Sequence, residues 1–162
     1  MEAVIRKARS TDVPSLFNLI KELAVYEKEP DGVQITPETL LTHGFGPNPS
    51  FTCFVADLNG EVVGMALVYF KFSTWAGKSL YLEDLIVTQT VRGQGVGKAL
   101  LDQVIQFGHD NQVNRIDWVV IDWNESAIAF YKSYGAELLT NWHLAQMDKG
   151  AIANRIANNE SI

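Results

Sequence analysis

Seven consecutive residues, Arg92, Gly93, Gln94, Gly95, Val96, Gly97 and Lys98, set three glycines at alternate positions between an apolar run and an amphipathic one. Glycine accepts positive φ and lets backbone N–H groups close on an anion, while the N-terminus of the helix that should follow adds the positive end of its dipole. The chemistry this favours is the holding of phosphate, with Arg92 and Lys98 supplying full charges nearby. A Walker A loop needs a glycine five residues before its Gly-Lys pair and a Ser or Thr after it, and here those places hold Arg92 and Ala99. A dinucleotide fingerprint needs a third glycine three residues after the second, where this chain has Lys98 after Gly95 and Leu100 after Gly97. What remains is a different ligand loop or a tight strand-to-helix turn, and three closely spaced glycines are costly in a packed turn.

Directly upstream, Glu83 and Asp84 interrupt the apolar run of residues 80–87. Adjacent residues of a strand point to opposite faces, so at least one of these carboxylates should enter a site or an interface. Carboxylates are rarely buried without a partner, and the plainer alternative is a sheet-edge charge or a salt bridge. Tyr131 carries a phenol that can give a proton to a leaving anion. At helical spacing from Ala127 and Tyr134 it reads equally as a core aromatic. Cys53, flanked by Phe51 and Phe54, reads as a small buried hydrophobe, with no activating base in view. His43, His109 and His143 are scattered without ligand spacing, so no metal site is expected.

The Arg-Gly-x-Gly-x-Gly pattern after a strand resembles the pyrophosphate loop of the GCN5-related N-acetyltransferases. Moving an acetyl group from a thioester to an amine requires that an ammonium of pKa about 10 lose a proton, and that the departing thiolate gain one. The carbonyl oxygen also develops negative charge, which backbone N–H groups of an interrupted strand could stabilise. Further stretches resemble the spermidine/spermine N1-acetyltransferase branch: Tyr81-Leu82-Glu83-Asp84, Trp123-Asn124-Glu125, Phe130-Tyr131-Lys132 with Gly135-Ala136, Lys21-Glu22-Leu23-Ala24 with Tyr26-Glu27, Gly44-Phe45-Gly46 and Trp75-Ala76-Gly77-Lys78. The resemblance runs from about Ile5 to Met147.

The resemblance implies acetyl-coenzyme A as co-substrate, a small-molecule amine as acceptor, and a homodimer. By position, it makes Tyr131 the general acid for the coenzyme A thiolate and Glu83 the carboxylate that takes the amine proton through water. Asp84 would face the amine, with Tyr26 and Glu27 supplied by the loop after the first helix and Trp118 and Trp142 along the amine channel. Leu85, Ile86 and Val87, the loop from Arg92 and Gly93 to Lys98, and Asn124, Glu125, Ser126 and Ala127 would contact the donor. Before Trp142 the polyamine enzymes carry acids, where this chain has Thr140-Asn141 in a shorter segment, and His143 replaces their arginine. A related branch that acetylates thialysine and similar amino acids fits about equally well. Acetylation of a protein amine and a non-catalytic acetyl-coenzyme A-binding module are the alternatives. A pure binder would need neither Glu83 nor Tyr131.

The elements that must position these residues follow from periodicity. Residues 4–7 read as a strand, and Ser10-Thr11-Asp12 before Pro14 starts a helix that runs to Tyr26. Thr36-Pro37-Glu38 caps a second helix ended by Gly44. Residues 51–58 and 62–72 form a hairpin about Asn59-Gly60, with Gly64 marking a bulge or close packing. The strand bearing Glu83 then leads through the loop to a helix at 95–107 and a strand at 115–121, a βαβ unit. Asn124 caps a helix closed by Gly135, residues 138–147 read as a last strand, and a polar tail begins at Asp148. The expected fold is a single α/β domain over residues 1–162. Its mixed, mostly antiparallel sheet carries helices on both faces and turns parallel where the strand of Glu83 meets that of Trp118.

Bulk properties agree. A chain of 162 residues, 47% hydrophobic, can bury a core of its own. A net charge of −6 argues against nucleic acid or an anionic membrane surface as partner and fits a cationic substrate. A lone cysteine, charges in Met1-Glu2-Ala3-Val4-Ile5-Arg6-Lys7 where a signal peptide would be apolar, and no run long enough to span a bilayer point to the cytoplasm. Arg6, Lys7 and Arg9 read as a solvated face.

Overall fold

The computed structural model describes residues 3–159; Met1 and Glu2, where the charged N-terminus begins, and residues 160–162, the end of the polar tail, lie outside it. It forms two compact units, Met1–Ile121 and Asp122–Ile162. The first holds a five-stranded sheet in sequential order: β1 (Val4–Lys7), β2 (Thr52–Leu58), β3 (Glu61–Ser73), β4 (Gly77–Val87) and β5 (Arg115–Asp117). The first four strands pair antiparallel. β5 joins β4 in parallel, Ser79 against Arg115 through Tyr81 against Asp117. The mixed sheet expected from the sequence is therefore present, but β5 ends at Asp117, and Trp118 to Ile121 do not extend it.

α1 (Val13–Tyr26) and α2 (Pro37–Phe45) cover one face of the sheet. Leu16, Leu19 and Leu40 pack there against Cys53, Val55, Met65, Leu67 and Ile86, the inward set of β2, β3 and β4. α2 starts as expected, with Thr36 Oγ1 accepting from Thr39 N at 3.3 Å, but it runs through Gly44 to Phe45. A short 3-10 turn at Ser10–Asp12 precedes α1.

α3 (Val96–Asp110) lies on the opposite face, with Leu100, Leu101 and Val104 buried and Phe107 edge-on to Phe54 at 5.3 Å between centroids. Gly64 sits where that helix and β4 crowd the sheet. A Cβ there would come 2.9 Å from the Ile86 carbonyl oxygen and 3.2 Å from a Leu100 methyl. The β2–β3 register also shifts beside it, so the sequence signal at Gly64 marked both a bulge and close packing. The Asn59-Gly60 turn forms with φ of 56° and 88°.

Arg6 is not part of a solvated face. Its guanidinium bonds both Asp12 carboxylate oxygens at 2.7 and 3.0 Å and Asp57 Oδ2 at 3.0 Å, tying β1 to the start of α1 and to the β2 end. That guanidinium, with Arg9 N, holds the buried Asp12 carboxyl below its usual range.

The second unit contains α4 (Glu125–Ser133) and α5 (Lys149–Asn159). Asn124 Oδ1 accepts from Ala127 N at 3.3 Å and from Ser126 Oγ at 3.1 Å, and Gly135 follows the helix at φ 82°. The strand expected over 138–147 does not form; those residues are irregular and mostly exposed. The polar tail is helical over Lys149–Asn159, with Ile152 and Ile156 exposed. No helix among the described residues is long and apolar enough to cross a membrane.

Candidate active site

β4 carries the first half of the site, and its irregularity decides where the carboxylates point. Leu67 pairs with Asp84 and Val68 with Leu82, so Glu83 is the extra residue of a bulge. A regular strand would send Glu83 and Asp84 to opposite faces, as alternation predicted. The bulge cancels one step of alternation and turns both toward the face covered by α1. Asp84 lies in register with Leu67 and two residues before Ile86, both members of the core on that face. Glu83 accepts a hydrogen bond on Oε2 from the Tyr69 hydroxyl at 3.0 Å, and Tyr69 packs against the same core. Tyr81 stands beside Tyr69, with ring centroids 5.2 Å apart.

These neighbours set the protonation of the site. Burial, followed by the negative charges of Glu83 and Glu27, pushes the Asp84 carboxyl up from 3.8 to about 6. Burial likewise raises the Glu27 carboxyl. The Tyr69 phenol is pushed up to about 12, by burial first and by Glu83 next, so it remains a hydrogen-bond donor at neutral pH. Glu27 caps the C-terminus of α1, which brings it to the acid-bearing face. Three carboxylates and two tyrosines thus frame one place on the sheet, suited to an ammonium that must be held and then deprotonated. Farther along this face Asp117 is already neutralised, by Lys71 at 2.7 Å and Arg115 at 2.8 Å.

The second half begins where β4 ends. Pairing with β5 stops at Tyr81, so from Leu82 to Val87 no described strand pairs with the edge facing β5. Leu85, Ile86 and Val87 lie on that free stretch, followed by a 3-10 turn at Gln89–Val91 and the glycine loop. Gly93 and Gly95 take φ of 76° and 83°, and a Cβ on either would meet none of the described residues within 4 Å. Gly95 is the N-cap of α3, and among the described residues no side chain caps that helix; Gly97 and Lys98 sit in its first turn. A cavity of about 330 Å³ opens against the same helix start, lined by Gln94, Gly95, Val96 and Lys98 together with Ala3 and Leu58. Open space, left-handed glycines and an uncapped helix start fit a diphosphate better than a packed turn. Lys98 Nζ lies 2.8 Å from Asp102, an exposed pair one helical turn apart. Arg92 turns back toward α1, donating from Nε to the Val87 carbonyl at 2.8 Å.

Trp118 is half-buried just beyond β5. In the second unit, Asn124, Glu125, Ser126 and Ala127 form the capped start of α4, Tyr131 is 8% exposed with its ring 5.4 Å from that of Phe130, and Trp142 is exposed. Cys53 is buried at 3% exposure, and its burial pushes the thiol up, away from a nucleophilic thiolate. Among the described residues no three His, Cys, Asp or Glu cluster as metal ligands would.

Sequence reasoning missed Tyr69 and Glu22. Tyr69 reads as one apolar-strand aromatic among several until the bulge brings Glu83 to its side. Glu22 reads as the polar side of an amphipathic helix. It contacts residues 66 and 67 positions away, and no local signal carries that.

A sheet opened at the parallel strand, a bulged β4 and a glycine loop leading into a helix define a class. The chain belongs to the acetyltransferase (GNAT) family, whose model matches residues 2–136, and it is an N-acetyltransferase. Among its relatives, the thialysine N-epsilon-acetyltransferase of Bos taurus is 39% identical over 160 residues, covering 92% of this chain and 94% of that protein. A human spermidine/spermine N(1)-acetyltransferase-like protein 1 is 39% identical over 155 residues; these cover 90% of this chain but only 22% of the relative's length. Among solved structures, an integron cassette protein from the mobile metagenome of V. cholerae shares the fold, with a TM-score of 0.77 and 23% identity over 97% of this chain and 98% of that one.

Proposed function

We propose that this enzyme transfers the acetyl group of acetyl-coenzyme A to a primary amine of a small cationic substrate, a thialysine-like amino acid or a polyamine, by direct attack in a ternary complex. The single observation that carries the acceptor is the bulge at Glu83, which turns Glu83 and Asp84 to one face beside Tyr69 and Tyr81, near the Glu27 that ends α1. Such a cluster favours a cation, and its carboxylates can hold an ammonium and accept its proton. The family's donor supplies an activated acyl thioester when bound. In this reading the N–H groups of Gly93, Gly95 and Gly97 hold its diphosphate, and the backbone of Leu85, Ile86 and Val87 lies along it. Arg92, Gln94, Val96 and Lys98, and Asn124, Glu125, Ser126 and Ala127, complete that side.

Glu83, oriented by Tyr69, takes the amine proton through water. Asp84, Glu27, Tyr26, Trp118 and Trp142 bind the amine, and Tyr131 gives its proton to the departing thiolate. A cysteine-borne acetyl intermediate has no support, since Cys53 is buried and its thiol is held protonated. We further infer one domain, since the family match crosses from the first compact unit into the second. A homodimer and a cytoplasmic setting belong to the same proposal.

The test is thiol release from acetyl-coenzyme A, followed with a thiol reagent across thialysine, lysine, ornithine, putrescine, spermidine, spermine and a short peptide. Release with one amine class identifies the acceptor. Tight donor binding without release by any amine overturns the proposed acceptor.

A further inference from the structure

Glu22 holds the loop after β4 from across the fold. It lies on α1, and its Oε2 accepts from the Thr88 hydroxyl at 2.8 Å while Oε1 accepts from the Gln89 N–H at 2.9 Å. Arg92 reaches the same carboxylate, with Nη2 3.7 Å from Oε1. One turn farther along α1, the Tyr26 ring lies under the Arg92 guanidinium, 4.9 Å from centroid to carbon. Arg92 is anchored at its other side by Nε to the Val87 carbonyl. A carboxylate and an aromatic ring at i and i+4 therefore form a cradle in which the chain from Val87 to Arg92 is seated.

The glycine loop needs such a seat. Gly93 and Gly95 occupy the left-handed region, and the space their side chains would fill holds none of the described residues within 4 Å. Glycine loses the most conformational freedom on ordering, so a loop of this kind cannot fix its own pose. Its orientation must come from its two ends, α3 on one side and the Glu22 cradle on the other.

We infer that Glu22 is a positioning residue for the donor loop, acting through Thr88, Gln89 and Arg92, and that Tyr26 is part of this support. The inference rests on the reading of the glycine loop as the donor's phosphate site. Glu22→Gln keeps the size of the side chain, but its amide cannot accept two hydrogen bonds at the two places where the carboxylate does, and it does not attract Arg92. Two readouts test it on the intact protein: affinity for coenzyme A by calorimetry, and amide hydrogen exchange of residues 88–97 by mass spectrometry. The expected result is at least a fivefold loss of coenzyme A affinity with faster exchange confined to 88–97, and a donor KM that rises more than kcat falls. The double variant Glu22→Gln with Arg92→Met should lose less than the two single losses combined.

Affinity within twofold of the parent together with unchanged exchange would overturn the inference. If the parent itself fails to bind coenzyme A, the donor reading falls, while exchange over 88–97 still decides whether Glu22 orders the loop. Should Glu22→Gln not fold, Thr88→Val removes one hydrogen bond from the loop side, leaves α1 intact and is judged by the same two readouts.

Discussion

Replacing Asp84 by asparagine should make the protein more stable and the enzyme worse. The folded protein holds the Asp84 proton more tightly than the unfolded chain does, since its pKa rises from 3.8 to about 6. A group shifted in this direction contributes its full stability below pH 3.8. That contribution is lost as the pH rises through about 6, above which the ionised carboxylate is a constant cost. At about 1.4 kcal/mol for each pH unit, the cost at pH 7.5 is on the order of 3 kcal/mol. Asparagine keeps the shape and carries no charge, so Asp84→Asn should recover most of that at pH 7.5 and almost nothing at pH 4. For a protein of this size each kcal/mol moves Tm by about 2–4 °C, and a recovery of about 2 kcal/mol raises Tm by about 4–8 °C. The same change removes one carboxylate from the proposed amine site, at a cost of about 1.5–3 kcal/mol, or roughly 10- to 100-fold in the KM for the amine. Scanning calorimetry at pH 4, 5, 6 and 7.5, with amine KM at pH 7.5, reads both. A Tm difference that does not grow between pH 4 and 7.5, or a fall in Tm at pH 7.5, would refute the reasoning.

Three further predictions concern other parts of the fold. Tyr131→Phe should lower kcat by about 100-fold with little change in the KM for acetyl-coenzyme A, because only a proton donor is lost; unchanged turnover takes this phenol out of the chemistry. Gly64→Ala forces a methyl to within 2.9 Å of the Ile86 carbonyl oxygen and should cost about 1–3 kcal/mol in urea denaturation; no loss would mean that β3 and β4 can part there. Arg6→Met leaves the Asp12 carboxylate, 8% exposed, without its guanidinium and should cost about 2–4 kcal/mol at pH 7. The native Asp12 pKa lies below 3.8, so this difference should shrink as the pH falls below 3.8 and the carboxyl protonates. A difference that is the same at pH 7 and pH 3 would show that the ion pair is not its source.

Much of the fold was legible because local signals are strong where the backbone itself is constrained. Asn59-Gly60 announced a hairpin through its left-handed φ values, Thr36 and Asn124 announced helix starts, and apolar spacing at 3.6 residues outlined α1 and α3. The strands at 115–121 and 138–147 were misread in length or existence. Their β-branched and aromatic residues satisfy a strand pattern, but a strand exists only where a neighbour completes its hydrogen bonds. β4 offers pairing to β5 over three positions only. Arg6 looked solvated because its partners, Asp12 and Asp57, meet it only after β1, the start of α1 and the end of β2 are packed together.

By itself the sequence determined that a glycine loop joins a strand to a helix, that Glu83 and Asp84 stand together before it, and that this pattern resembles that of an acetyl-coenzyme A-dependent transferase. Residue type and spacing suffice for those, since φ preferences and helix ends are properties of a few neighbouring residues. Tertiary structure alone decided that both carboxylates share one face, that Tyr69 bonds Glu83, and that Glu22 bonds the turn before the glycine loop. A bulge is a property of two strands in register, and a hydrogen bond between residues 66 positions apart exists only once α1 has packed on the sheet.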